Sequence, residues 1–319
     1  MNYKKGISAC LIVKNEEHNL EKCLLSFKNF VQEIIIVDTG STDNTIKIAE
    51  KFNCKIIYSE WKNDFSFSRN IALDNANFEF ILSIDADEII ENPEKLVEQI
   101  DNSTSKIGGW LIDVVSIAAR KDGGTDKFVA KLLRLFRNHP EIRFVGAIHE
   151  QVVNSVLNLG FSVENSEIII NHSGYSINEE NRIKKQKRNL EILDLSLKNN
   201  PNDSHLLYHR AKTLLAINNL QDAERDIAKA ISLVENDSIM APQVLNYGAV
   251  ISYRMLAYKD AIIRAAQSYK LLPNQAFANF ILAEVYYETG FIDKALNHYK
   301  LMLFAIQNPS TLAKISGDY

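Results

Sequence analysis

The chain has 319 residues, of which 46% are hydrophobic, so it can bury a large core and its length favours two domains. Its net charge of −4 provides no basic field for nucleic acid, and no apolar run reaches the roughly 18 residues that cross a bilayer. The start of the sequence lacks signal-peptide features, and three scattered cysteines suggest neither a disulfide framework nor a metal cluster, so we expect a soluble, cytoplasmic protein.

The first half of the chain alternates apolar strands with amphipathic helices. Residues 7–13 and 34–37 are continuous apolar strands, and residues 20–30 between them carry apolar side chains at helical spacing. The elements predicted next are a helix after residue 44, a strand at 55–58, a helix at 66–75 and a strand at 78–84. This order predicts an α/β domain with a mostly parallel sheet covered by helices on both faces.

Polar side chains follow three of the predicted strands, at the point where each strand ends. They lie in segments 14–16, 38–41 and 85–87. In open parallel sheets, ligands bind beyond the carboxyl ends of the strands. Asp85 and Asp87 are two residues apart and leave the strand on the same side, so we expect them to converge on a divalent cation that also binds phosphate. The alternative is that Asp87 or Glu88 only caps the next helix.

From about residue 178 the pattern is purely helical. Similar helical hairpins contain Ala223, Ala261 and Ala295, which are 38 and then 34 residues apart. Such spacing matches a helical repeat of about 34 residues and resembles tetratricopeptide repeats. We predict about three helix pairs after a lone helix at 179–197, and two domains with bounds 1–177 and 178–319.

Three segments in order resemble the successive signatures of family 2 glycosyltransferases: 8–16 (SACLIVKNE), 36–43 (IVDTGSTD) and 85–88 (DADE). Two further segments, 61–70 (WKNDFSFSRN) and 146–150 (GAIHE), together with the repeats resemble the branch that contains the sublancin peptide S-glycosyltransferase. The resemblance implies the GT-A fold of nucleotide-diphospho-sugar transferases. It also implies an enzyme that moves a hexose from a sugar nucleotide.

The resemblance places the nucleotide at the ends of the first two strands. It implies that Asp38 bonds the uracil or the ribose, with Val13, Lys14, Asn15 and Glu16 beside it. A carboxylate accepts hydrogen bonds from base N–H and ribose hydroxyl groups, which makes this role chemically reasonable. Capping of the following helix is the alternative role for Asp38.

Three arginines are candidates for contact with the donor diphosphate. Arg69 follows Asp64 on a predicted helix, and its fork of donors suits diphosphate oxygens, although an Asp64–Arg69 ion pair that braces the loop is the alternative. Arg134 and Arg137 are candidates for the donor phosphates or the acceptor, and an exposed, solvated face is equally consistent with their sequence.

Asp87 is the predicted direct metal ligand, and Asp85 assists through water or ribose. His172 follows the apolar run 168–170, and the resemblance implies that a histidine after the last core strand binds the same ion. A mixed carboxylate and imidazole site tolerates Mn²⁺ more readily than Mg²⁺, and either ion is the expected cofactor.

Glu150 is the predicted general base. It lies about sixty residues past the Asp85–Asp87 motif, where the family places residues on the acceptor side, and a base must remove the acceptor proton as the sugar–phosphate bond breaks. Base-assisted displacement in one step would invert the anomeric carbon. The alternative is that Glu150 holds a sugar hydroxyl.

The leading hypothesis is therefore a metal-dependent, inverting glycosyltransferase that uses a UDP-sugar and modifies a peptide or protein side chain. Stacked helix pairs form a concave surface suited to extended chains, which favours a peptide acceptor and leaves repeat ends that can form a homodimer. The alternatives are a glycan or lipid-linked acceptor, a phosphatase with Asp85 as nucleophile, and a non-catalytic repeat scaffold. Intact Asp38, Asp87 and Glu150 argue against the scaffold.

Overall fold

The chain forms two compact units, Met1–Ile177 and Asn178–Tyr319. The structure is a computed structural model, and it describes residues 3–119, 125–172, 179–236, 238 and 240–308. In these residues, no helix combines the length and the apolar character needed to span a bilayer.

The first unit is built on a sheet of eight strands within the described residues, in the spatial order β3-β2-β1-β4-β7-β6-β8-β5. The strands are β1 (Lys4–Val13), β2 (Glu33–Asp38), β3 (Lys55–Tyr58), β4 (Phe78–Ser83), β5 (Glu88–Ile90), β6 (Ile107–Ala119), β7 (Thr125–Arg137) and β8 (Ser162–His172). The first four are parallel neighbours, whereas β7 runs antiparallel to β4. The strand order reverses at β1, because β2 lies on one side of it and β4 on the other.

Helices cover both faces of this sheet. They are α1 (Leu20–Phe27), α2 (Thr45–Lys51), α3 (Phe65–Asp74), α4 (Glu94–Asp101) and α5 (Val153–Asn158). Alternating side chains of β1 point to opposite cores: Ala9 and Leu11 pack with α1 and α2, whereas Cys10 packs with α3. The predicted α/β architecture is confirmed. The carboxyl ends of the parallel strands β1, β2 and β4 lie together at one edge of the sheet.

Within the described residues, the second unit contains only helices and the turns that join them. It contains α6 (Glu179–Asn199), α7 (Ser204–Ala216), α8 (Leu220–Leu233), α9 (Ala241–Arg254), α10 (Tyr258–Leu271), α11 (Ala276–Glu288) and α12 (Ile292–Gln307). After α6 these helices form three antiparallel pairs. The repeated alanines Ala223, Ala261 and Ala295 are at most 2% exposed and lie in the second helix of each pair, where helices pack closely. The predicted helical repeat is confirmed.

Candidate active site

The polar side chains of the first unit gather at the carboxyl ends of β1, β2 and β4. These ends flank the point where the strand order reverses, which is where open α/β sheets bind their ligands. The backbone connects the three ends directly. Thr39 N–H donates to the carbonyl of Val13 at 3.0 Å, and Ile84 N–H donates to the carbonyl of Cys10 at 3.2 Å.

Asp85, immediately beyond β4, is held by two arginines. Its Oδ1 lies 2.8 Å from Arg69 Nη2 and its Oδ2 lies 2.8 Å from Arg134 Nη2. Burial acts to raise the pKa of Asp85, but the two guanidinium charges overcome it and hold the pKa well below its usual range. The Asp85 carboxylate is therefore ionised and fixed in place from two sides.

The two arginines reach Asp85 from different elements. Arg69 is 8% exposed on α3, and its Nη1 also donates to Ser83 Oγ at 3.2 Å. Arg134 is 8% exposed on β7, and its Nη2 also donates to Glu88 Oε1 at 2.6 Å. Burial raises the pKa of Glu88, against the attraction of Arg134. The cluster thus ties α3, β4, β5 and β7 together through buried charges.

Glu150 joins this cluster through Arg69, whose Nε donates to Glu150 Oε1 at 2.5 Å. Residues 144–151 form a loop closed by the pairing of Val145 with Gln151. Gly146 in this loop has a φ of +106°, a conformation that side chains with a Cβ rarely adopt. The Glu150 side chain is 12% exposed. A single residue, Arg69, links its carboxylate to that of Asp85.

Helix α3 fastens the same loop along its length. The Asn70 side chain donates to the carbonyl of Phe144 at 3.0 Å and accepts from the Phe144 N–H at 2.9 Å. At the start of the helix, Phe65 N–H donates to the carbonyl of Ala147 at 2.8 Å. These backbone contacts fix the position from which Glu150 extends.

Asp87 pairs with His172. Their Oδ2 and Nε2 atoms are 3.0 Å apart, and His172 Nδ1 lies 3.1 Å from Ser116 Oγ. Strand pairing brings Asp87 close to His172, because the next residue, Glu88 of β5, is opposite His172 of β8 in the antiparallel ladder. Asp87 and His172 are 29% and 20% exposed, so this pair is more accessible than the buried Arg69.

A carboxylate and an imidazole whose facing atoms are 3.0 Å apart fit as two ligands of one metal ion whose other ligands come from a substrate. Within the described ranges, no group of three or more His, Cys, Asp or Glu side chains converges as a metal site. Asp85 and Asp87 therefore do not share one point as the sequence predicted, because Asp85 is turned to the arginines. Burial raises the pKa of Glu16, and the charges of Asp87 and Asp85 act in the same direction, so negative charge is concentrated at this edge.

The end of β1 forms a polar loop over β2. Val13 is 2% exposed, whereas Lys14 and Asn15 are exposed. Asn15 has a φ of 58°, its N–H donates to Ser41 Oγ at 2.9 Å, and its Oδ1 accepts from Thr42 N–H at 2.7 Å. This loop presents polar groups beside Asp38.

Asp38 closes the loop that follows β2. It is 4% exposed, and its carboxylate accepts from the N–H groups of Gly40 and Ser41 at 3.1–3.2 Å. It does not cap α2 among the described contacts, since that helix begins at Thr45. A carboxylate can accept about four hydrogen bonds in all. The contacts within the loop therefore leave Asp38 able to accept a further hydrogen bond from a base or a ribose.

Asp64 is the N-cap of α3. Its Oδ1 accepts from Phe67 N–H at 2.9 Å and from Ser66 Oγ at 2.7 Å. The described contacts contain no Asp64–Arg69 ion pair, since Arg69 is directed to Asp85 and Glu150. Asp64 thus fixes the start of the helix that carries Arg69.

Arg137 lies elsewhere, and its predicted place at the donor site is wrong. It is opposite Phe80 in the antiparallel pairing of β7 with β4, toward the amino end of β4. Its Nη1 donates to Glu79 Oε1 at 2.7 Å, and its Nε and Nη2 donate to the carbonyls of Ile107 and Thr104. A cavity of about 810 Å³ lies beside it, away from Asp85. Of the two arginines on β7, Arg134 is the one at the site.

The sequence did not single out Ser83, Ser116 and Asn70. Each of them contacts a residue that is distant in the sequence. Asn70 and Phe144, for example, are 74 residues apart. The signal for Asn70 was its place at the end of the segment 61–70, in the position after Arg69.

Comparison with known proteins finds a family match within the first unit. Residues 8–121 match the family described as glycosyl transferase family 2. The first unit therefore contains a glycosyl transferase family 2 domain match over residues 8–121, and the resemblance drawn from the sequence is confirmed.

Two individual relatives match a larger part of the chain than the family does, and a third matches a smaller part. A TPR repeat-containing protein of Synechococcus elongatus is 30% identical over 81% of this chain and 64% of its own length. The SPbeta prophage-derived glycosyltransferase SunS of Bacillus subtilis is 30% identical over 71% of this chain and 53% of its own length. An uncharacterized glycosyltransferase of Rickettsia felis is 38% identical over 30% of this chain and 32% of its own length. The chain thus spans about half to two thirds of the length of the first two.

Replacement of Arg134 by Met tests the buried cluster. It leaves Glu88, with a side chain 2% exposed, without its cation, so we expect the first unit to lose about 3 kcal/mol of unfolding free energy. Adding Glu88→Gln should restore at least half of the loss. Both tryptophans, Trp61 and Trp110, lie in the first unit, so urea unfolding followed by tryptophan fluorescence reports on it directly.

The matched control is Lys5→Met, which removes an ion pair with Asp101 whose side chains are 77% and 50% exposed. It should leave the unfolding free energy close to that of the wild type, because an exposed ion pair contributes little to stability. An Arg134→Met variant as stable as the wild type would contradict the buried network.

Proposed function

We propose that this chain is a metal-dependent, inverting glycosyltransferase that moves a hexose from a UDP-sugar to a peptide or protein side chain. The observation that carries the proposal is the cluster of Asp85, Arg69, Arg134 and Glu150 beside the Asp87–His172 pair at the ligand-binding edge of the sheet. The match of residues 8–121 to glycosyl transferase family 2 supports the reaction class. The sequence resemblance to a branch of peptide S-glycosyltransferases and the helical repeats of the second unit support the peptide acceptor.

The nucleoside would bind at the ends of β1 and β2. The exposed loop of Lys14 and Asn15 offers polar contacts, and Glu16 lies behind it, half-buried. Asp38 would accept a hydrogen bond from the uracil or the ribose. This arrangement would direct the diphosphate toward the end of β4, where Arg69 and Arg134 lie paired with Asp85.

Asp87 and His172 would hold the divalent cation. The 3.0 Å separation of their facing atoms and the orientation of His172 by Ser116 fit this use. When bound, the ion would offset negative charge on the departing diphosphate. The mixed carboxylate and imidazole set favours Mn²⁺ over Mg²⁺.

Glu150 would accept the proton of the acceptor. The acceptor atom forms a bond to the anomeric carbon, the bond from that carbon to the diphosphate oxygen breaks, and the acceptor proton passes to Glu150. In the described part of the chain, Arg69 engages Oε1 of Glu150, which leaves Oε2 to take the proton. Attack opposite the leaving group in one step inverts the anomeric configuration.

Replacement of Asp87 by Asn tests the metal role. Incubation with a panel of nucleotide sugars and Mn²⁺ should identify one donor whose nucleotide is released, and Asp87→Asn should lower this rate at least about 100-fold because an anionic ligand is lost. The control is Asp101→Asn, whose side chain is 50% exposed and pairs with Lys5 at the surface. Full activity of Asp87→Asn, or activity independent of metal, would overturn this part of the proposal.

Replacement of Glu150 by Gln separates catalysis from binding. The amide oxygen of glutamine can still accept the Arg69 hydrogen bond, so the loop should keep its position. We expect the transfer rate to fall by about 10² to 10⁴ while the affinity for UDP, measured by titration calorimetry, changes less than about 3-fold. A variant that retains transfer would assign Glu150 to substrate binding instead.

A further inference from the structure

Helix α7 of the second unit carries two histidines one turn apart, which the proposed reaction does not use. His205 and His209 are four residues apart and are both half-buried. Side chains at this spacing are neighbours on one face of a helix. Their Nε2 atoms are 3.2 Å apart, whereas the ring centroids are 4.4 Å apart. Because the nitrogens are closer to each other than the ring centres are, both Nε2 atoms are directed toward a common point.

Local contacts on α7 hold the two imidazoles in place. Asp203 caps the helix, since its Oδ1 accepts from Leu206 N–H at 3.0 Å, and this cap fixes the first turn, which carries His205. The ring of His209 meets that of Tyr208 edge to face, with centroids 4.9 Å apart. Tyr208 is 3% exposed, so this support belongs to the core of the unit. The pair is therefore positioned before any ligand binds.

The distance between the two nitrogens fits two kinds of contact. One is a single N–H···N hydrogen bond between neutral imidazoles, which needs a proton on one Nε2 atom and a lone pair on the other. The other is a shared metal ion. With metal–nitrogen distances of about 2.0–2.1 Å, two nitrogens 3.2 Å apart subtend an angle of about 100° at the ion, near the roughly 109° of tetrahedral coordination. The pair can therefore receive a cation with little movement.

The chemistry of the pair favours zinc over magnesium or manganese. Among the side chains that the structure describes, no third His, Cys, Asp or Glu converges with it, so the chain offers imidazole ligands alone. Imidazole suits Zn²⁺, Ni²⁺ and Cu²⁺, whereas Mg²⁺ and Mn²⁺ prefer oxygen ligands. The ordinary pKa of histidine is about 6.5, so at about pH 7.5 most of these side chains are in the neutral form that binds metal. The charges that act on His205, from Asp203 and Lys212, are opposite in sign, so no excess of positive charge repels an ion.

We propose that His205 and His209 form a zinc site that bridges the first two turns of α7. The ion accepts the lone pair of each Nε2 atom, and the ring that carried the shared hydrogen takes the tautomer with its proton on Nδ1. Water fills the remaining coordination positions. An unfolded chain does not hold the two rings at this distance, so bound Zn²⁺ stabilises the folded helix. The proposal is independent of the proposed reaction and of the Asp87–His172 pair.

Calorimetric titration of the whole 319-residue chain with Zn²⁺ tests the proposal. The chain carries Asp87→Asn, so that an ion at the Asp87–His172 pair does not obscure the result. We expect one Zn²⁺ to bind per chain below about 100 µM, more weakly than in a closed site with four protein ligands. His205→Gln and His209→Gln, made separately in this background, should each weaken the affinity at least about 30-fold, because one of two protein ligands is lost.

The matched control is His298→Gln, because the imidazole of His298 on α12 lies 3.0 Å from the Asn279 side chain instead of a second imidazole. This variant should bind Zn²⁺ as tightly as the background chain. Absence of binding below about 1 mM overturns the proposal, as does affinity that either variant of the pair retains in full. Far-ultraviolet circular dichroism should show that the variants keep their helix content.

A measurement on the wild-type chain covers the case in which a glutamine variant loses helix content. In a long-range ¹⁵N–¹H spectrum of the histidine rings, Zn²⁺ should place the proton of both His205 and His209 on Nδ1. Ring tautomers that stay unchanged when Zn²⁺ is added would leave the hydrogen bond as the whole interaction and contradict the zinc site.

Discussion

The placement of the Asp85 carboxylate between Arg69 and Arg134 is the interaction on which the rest of the site depends. It joins the end of β4 to α3 on one side and to β7 on the other, and Arg69 extends the connection to Glu150. Because buried charges are costly when a partner is lost, these elements hold one another in register. The positions of the other polar groups follow from this arrangement.

The two carboxylates of the Asp85–Ala86–Asp87 motif consequently have separate tasks. Asp85 is committed to guanidinium groups in the interior, whereas Asp87 faces His172 at the more accessible edge. Between them, the site combines a preorganised network of buried charges with a pair of side chains proposed as ligands for a cation. Such preorganised charge is the usual source of catalysis when the protein must stabilise a departing anion.

Much of the fold follows from local patterns in the sequence. Apolar runs at β1 and β2 predicted buried parallel strands, and the alanine spacing at Ala261 and Ala295 predicted stacked helix pairs, because both patterns reflect packing within short segments. The arginines of β7 could not be placed in this way. Their positions depend on the register of an antiparallel strand paired with β4, which puts Arg137 at the far end and Arg134 at the site.

The central claim, that a sugar nucleotide and a cation meet beyond β4, is tested most directly by a crystal structure with UDP and Mn²⁺. Anomalous scattering would locate the manganese without ambiguity. The account predicts one ion in contact with Asp87 and His172, and UDP between Asp38 and Arg69. Nucleotide bound in the cavity beside Arg137, or manganese bound away from Asp87, would contradict it.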